Sequence, residues 1–480
     1  MRKHYLSNIR QVAVLVPYWA FWEKRASHNL REDRLRLVDQ VEALLSKSSV
    51  EVCWKGFVDS LTAGVEAAEA IRLTPAAAIL VVQSMAVAPA YTLSTLNQLP
   101  DLPVIIWALD KHYDLPAEYD AADITAAGST VGSPMLTNVL NRYGRCYILV
   151  AGRIHDSQCV EKVVRALAAG SVASAISKAR IARVGKPIEG YDCVDVNDQL
   201  LKAAMGIEVV VIDPDEVRRR YLEVGEDQVN ALAEEVRSNF DIDPDAEGES
   251  FQRSMRFGAA LEKLDKEKRL SAGAMNCHVP EIRFSDVPGI TPCFALGRET
   301  SLGIPWSCTG DVITAIALLA GKLLSGAALY HELEAIDYLN NEIAIANSGE
   351  HDLIWYDQRC KVRPQIKLNK WFLLDTRCGV CARFEMKRGP ATLISFTPHH
   401  AEPSGFRFIA AEGHITGRHL PHNPTVGGAF RFAGEEPVSA LWQHWVNAGV
   451  NHHSAITPGH IAVDIGMVAK FLKVGFIKVS

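Results

Sequence analysis

No apolar run in this sequence approaches the roughly 20 residues that a bilayer-spanning helix requires, so no membrane partner is expected. Nor is there an excess of positive charge. Lys and Arg number 50 against 56 Asp and Glu, a net charge of −6. A nucleic-acid surface needs a concentrated basic patch, so a nucleic-acid partner is not expected either. Cysteine is present ten times, but scattered, without the regular spacing of a disulfide framework, which predicts reduced thiols in a cytoplasmic protein. Cys378 and Cys381 form half of a zinc-site spacing that no second pair completes. The polar, basic residues 1–10 and the short apolar run 12–16 lack the core of an export signal, again pointing to the cytoplasm. Residues 128–133 (GSTVGS) form a small-residue loop of the kind that presents amides to an anion ahead of a helix. Its spacing is neither the dinucleotide fingerprint nor a P-loop. The acidic stretch 241–250 has no complete calcium loop.

What the sequence does have is apolar content for several cores: 48% of 480 residues are hydrophobic. Residues 11–16 (QVAVLV), 77–82 (AAILVV) and 104–109 (VIIWAL) are short continuous apolar runs suited to strands buried on both faces. Between them, residues 29–45 and 63–71 carry helical spacing, which predicts a parallel doubly wound sheet. The pattern repeats. Residues 179–184, 190–196 and 208–212 read as strands, and 199–205, 214–223 and 254–270 as helices. Beyond residue 355, strand-like runs at 391–396, 406–411 and 429–432 are separated by Gly, Pro and His clusters. The expected fold is α/β: two doubly wound, Rossmann-like α/β domains (1–170 and 171–355) followed by a β-rich C-terminal domain (356–480).

Residues 307–352 concentrate the chemistry. Asp311 or Thr309 can cap a helix whose apolar residues fall at Val312, Ile316, Leu319 and Leu323, and Ser325-Gly326 ends it. Two apolar runs, 327–330 and 342–346, then deliver Glu332, Glu334, Asn347, Glu350, His351 and Asp352 where strands would end, the usual place for a ligand in an open α/β sheet. Asn276 and His278 follow another strand-like run and are expected to face the same site.

These residues resemble the metal-dependent aldose-ketose isomerases of the L-fucose and L-arabinose isomerase superfamily. Members carry an acidic turn before a helix, a second acidic residue after the next strand, a His turn, and a His-His pair near the C-terminus. Glu332 matches the second acidic position and His452-His453 the pair, whereas Thr309 and Asn347 stand where an acid and a His are expected. The resemblance implies Mn²⁺ or a similar divalent cation held by Glu332 and His453, with Glu332, Glu350 and Asp311 as candidate acid/base groups. Thr309, Asn347, His351, His278, Asn276 and His452 are then candidate contacts to the substrate, a small-molecule sugar or sugar derivative, in a homo-oligomer (trimer or hexamer). Departures at two positions leave other chemistries open. One is a metal-independent sugar hydrolase, lyase or epimerase using Glu332 and Glu350 as an acid/base pair; another is a non-catalytic sugar-binding protein.

Overall fold

The computed structural model describes residues 11–26, 29–115, 117–347, 349–357, 360–365, 378–420 and 427–479. Residues 1–10, in which no export signal was expected, lie outside them. Among the described residues no helix is long and apolar enough to cross a membrane. The chain forms two compact units, one of residues 1–175 with 470–472 and one of 176–469 with 473–480.

The first unit is built on five strands: β1 (Gln11–Pro17), β2 (Glu51–Val58), β3 (Ala78–Gln83), β4 (Val104–Asp110) and β5 (Tyr147–Arg153). All pair in parallel, in the order β2-β1-β3-β4-β5. The three central strands are the continuous apolar runs, almost entirely buried because helices cover both faces. The edge strands β2 and β5 are partly exposed; β2 is mixed in sequence, whereas β5 (YILVAGR) is apolar up to its last residue. Residues 128–133 are not a loop: Ser129 opens a helix, Ser129–Arg142. Its Gly132 lies so close to Met85 that a Cβ there would sit 2.2 Å from the Met85 carbonyl oxygen, so the small residues serve close packing.

In the second unit, β6 (Arg180–Val184), β7 (Glu208–Ile212), β8 (Asp241–Ile242), β9 (Ala272–Met275) and β10 (Trp306–Cys308) follow in sequence. Four of them make a parallel sheet, β10-β9-β6-β7. Residues 190–196, expected as a strand, are a series of turns with Gly190 at φ 83°; their alternation of apolar and polar residues is not accompanied by a pairing partner. The remaining strands are β11 (Leu329–Asp337), β12 (Glu342–Ala346), β13 (Lys361–Pro364), β14 (Val380–Arg383), β15 (Gly389–Pro398), β16 (Phe406–Ile415), β17 (Gly427–Phe432), β18 (His453–Pro458) and β19 (Gly475–Val479). β15-β18-β11-β12-β17-β16 closes into an antiparallel barrel through the β15–β16 pairing, and β19 adds in parallel to the free part of β16. β8 instead joins β13 and β14 in a small separate sheet.

The helix Val312–Ser325 (VITAIALLAGKLLS) joins these layers. It contacts β6, β9 and β10 of the parallel sheet on one side and β15 and β18 of the barrel on the other. A helix enclosed in this way has to be apolar all round, as its sequence is. Its one charge, Lys322, is buried and neutralised by Asp352 at 2.6 Å. Gly326 ends it in the left-handed conformation, φ 85°.

Candidate active site

Asp311 stands at the N-cap of this helix, directly after β10. One carboxylate oxygen accepts from the Thr314 amide (2.8 Å), the ordinary capping bond. The other accepts from Thr314 Oγ1 (2.7 Å) and Asn451 Nδ2 (2.8 Å), and faces His453 Nδ1 at 3.0 Å. The residue is 0% exposed. Asp311 is thus enclosed by the groups it holds, Thr314, Asn451 and His453.

His453 opens β18, and in the barrel it lies directly opposite Glu332 of β11. Paired residues in antiparallel strands share a face. His453 Nε2 accordingly lies 3.0 Å from Glu332 Oε1, so the imidazole is held between two carboxylates. Burial alone would lower its pKa, but hydrogen bonds to Asp311 and Glu332 and their charges outweigh it and raise the value to about 9. The Tyr330 ring, on the same face of β11, packs on this imidazole at 4.6 Å between centroids. Glu332 is the opposite case to Asp311, with its side chain 37% exposed.

His452 packs against His453 with ring centroids 3.6 Å apart, and its Nδ1 lies 3.0 Å from Asn451 Oδ1 and 3.4 Å from Cys193 Sγ. Glu332, His452 and His453 offer ligand atoms that all lie within 4.8 Å of one another, the one such group of three or more among the described residues. One further feature suits a cation. A carboxylate on the far ring nitrogen, here Asp311, is the usual support of a ligating imidazole.

Around this pair the structure places the other candidates unequally. Thr309 is buried in the left-handed conformation, φ 54°, which a β-branched residue adopts only where its surroundings enforce it. Thr309 and Glu350 both lie close to Tyr330, whose hydroxyl is held protonated chiefly by burial. Glu350, after β12, is buried; desolvation pushes its carboxyl up to about 7, and both His453 and Glu332 act on it electrostatically. Asn347 is buried at the end of β12. His351 is buried with its ring 6.1 Å from that of Phe384. Asn276 joins the loop after β9 to the loop after β6, and His278 is held within its own loop. Asn276 Nδ2 donates to the Lys186 carbonyl (2.7 Å) and its Oδ1 accepts from the His278 amide (3.0 Å), while His278 Nδ1 faces Arg283 (3.2 Å). Burial, with help from Arg283, lowers the His278 pKa to about 4, so it is neutral.

One expectation about position changes. Glu332 does not end a strand of an open sheet: it lies within β11, because β11 and β12 belong to the barrel. Asn451 was not foreseen. It adjoins the His pair, but an isolated Asn carries no signal of its own before Asp311 is brought beside it.

No family model matches the chain. Over 374 residues it is 22% identical to the sulfoquinovose isomerase of Priestia aryabhattai, and equally to that of Priestia megaterium, covering 77% of this chain and 78% of each relative. The chain is similar to a sugar isomerase. The likeness to sulfoquinovose isomerase spans most of both chains and accompanies a site built from two carboxylates and a His pair.

Proposed function

We propose that this protein is a cytoplasmic sugar isomerase that interconverts an aldose and a ketose, a divergent relative of the L-fucose and L-arabinose isomerases. The observation that carries the proposal is the placement of His453 between Asp311 and Glu332, 3.0 Å from each, beside His452. Similarity to sulfoquinovose isomerase supports the reaction class and makes sulfoquinovose the first sugar to test.

Glu332 and His453 would hold a divalent cation, with His452 as a third ligand. A hard ion such as Mn²⁺ suits carboxylate and imidazole donors and supplies stabilisation of negative charge on sugar oxygens. Asp311 orients His453 by fixing Nδ1, which leaves Nε2 facing Glu332. Glu350, with its carboxyl near pKa 7, can take a proton from one carbon of the sugar and return it to the next at neutral pH, through an enediolate. Thr309 and Asn347 are uncharged polar groups suited to sugar hydroxyls. A trimeric or hexameric assembly accords with the superfamily resemblance.

The test is a sugar panel in D₂O, with sulfoquinovose, L-fucose and L-arabinose, followed by NMR in the presence of Mn²⁺. The proposal expects formation of the ketose, with deuterium at the carbon adjacent to the carbonyl only in the fraction of turnovers in which Glu350 exchanges its proton with solvent. Cleaved or dehydrated products, or binding without any conversion, would contradict it.

A further inference from the structure

The first unit holds a cavity of about 220 Å³ that the isomerase chemistry does not use. It lies at the carboxyl ends of β4 and β5, against the first turns of the helix Leu30–Lys47. Doubly wound sheets bind ligands at their carboxyl edge, although the switch point of this one, between β1 and β3, lies elsewhere along it. Its lining is cationic: Arg34, Arg36, Lys111 and Arg153 face only two carboxylates, Asp33 and Asp110.

The cations are poorly neutralised. Asp33 accepts a hydrogen bond from Arg34 Nη1 (3.3 Å) and is shared with Lys111 (3.8 Å) and Arg36 (4.0 Å), the last of which also faces Glu32 (3.8 Å). Arg153 rests on the Tyr113 ring, 4.3 Å from its centroid, rather than on an acid. Arg34 is the decisive group. It is 2% exposed, yet its Nε and Nη2 are buried with no hydrogen-bond partner. Leaving guanidinium donors dry and unpaired is costly, and an oxygen-bearing anion accepting from both removes that cost. Burial is also the main influence on the Arg34 pKa and lowers it, outweighing the nearby charge of Asp33.

We infer that this cavity binds a small tetrahedral oxyanion, either free phosphate or sulfate or the phosphate or sulfonate group of a small acidic sugar, with Arg34, Lys111 and Arg153 as its donors. The volume suits a head group better than a nucleotide, since pockets for larger ligands run to roughly 300–1,000 Å³.

The test is calorimetric titration of the full chain with sodium phosphate, sodium sulfate, glucose 6-phosphate and sulfoquinovose, at constant ionic strength set with chloride. Because Arg34 is buried, the more exposed pair Lys111→Gln/Arg153→Gln carries the comparison, with thermal melting of the unliganded variant to show that it is folded. The inference expects saturable binding that weakens roughly tenfold or more in the folded double variant. Saturation by the inorganic anions identifies a free-anion site; saturation by an acidic sugar alone identifies a head-group site. Titration in a His453→Gln background separates this cavity from the proposed active site, and binding here persists in it. Heats no larger than those of chloride for all four ligands, or wild-type affinity in the double variant, would overturn the inference.

Discussion

Asp311 shows how one side chain serves both fold and site. It caps the central helix with one oxygen and orients His453 with the other. Asp311→Asn keeps a capping oxygen but loses the charge that faces Nδ1. Mn²⁺ affinity should fall roughly 10–100-fold with little loss of stability, which calorimetry and thermal melting would resolve. Wild-type Mn²⁺ affinity together with a loss of stability would mean that Asp311 only caps. Glu350 makes a different prediction, because its environment opposes its charge. Its carboxyl titrates near 7 in the folded protein against an ordinary 4.5. Between those values the folded chain holds a proton that the unfolded chain has released, so stability falls as pH rises through that window. Glu350→Gln removes this slope and should stabilise the protein at pH 8, by at most roughly 3 kcal/mol, while abolishing turnover. A variant with the wild-type pH dependence of denaturant unfolding would show that Glu350 is not buried as a neutral acid. Of these residues, Glu332 and the His pair were legible in the sequence because a short motif carries them. Asn451 and the close approach of Asp311 to His453 were not, since 142 positions separate the two in the chain.

At the scale of elements, the helix Val312–Ser325 was legible from its cap, its period and its terminal Gly326. The central strands β1, β3 and β4 were equally plain as continuous apolar runs. The edge strand β2 escaped notice because solvent on one side admits residues such as Lys55, and a mixed run gives no clear period; β5, the apolar run YILVAG, was legible by the same rule as the central strands but went unassigned. The strands β11 and β12 were visible as strands, yet their partners were not. An apolar run of five residues reads the same in a parallel sheet as in a barrel, and only long-range pairing decides between them. The contact that ties this helix to the loop carrying Glu350 and His351 is Lys322 with Asp352, at 2.6 Å. The same Asp352 oxygen, Oδ2, also accepts from the Ala328 amide (3.1 Å). Lys322→Met would leave a buried carboxylate unpaired and should cost roughly 3–5 kcal/mol in urea unfolding. The double change Lys322→Met/Asp352→Leu should recover part of it; no recovery would mean that Lys322 matters by its volume alone.

For the whole molecule, the α/β class and the β-rich C-terminal region followed from the alternation of apolar runs and its loss beyond residue 355. That the barrel closes did not, because closure depends on the pairing of β15 with β16 and of β11 with β18 around the same ring. This closure brings His453 opposite Glu332, while the parallel sheet and its helix bring Asp311 to the same point. The proposed isomerase site is thus assembled from both layers of the second unit. Its most direct test is titration of Mn²⁺ into the metal-stripped full chain and into His453→Gln, with sugar conversion followed on the same samples. The account predicts about one Mn²⁺ per wild-type chain, conversion that returns with the metal, and loss of both in the variant. Conversion by the stripped protein, or unchanged Mn²⁺ binding by His453→Gln, would contradict it.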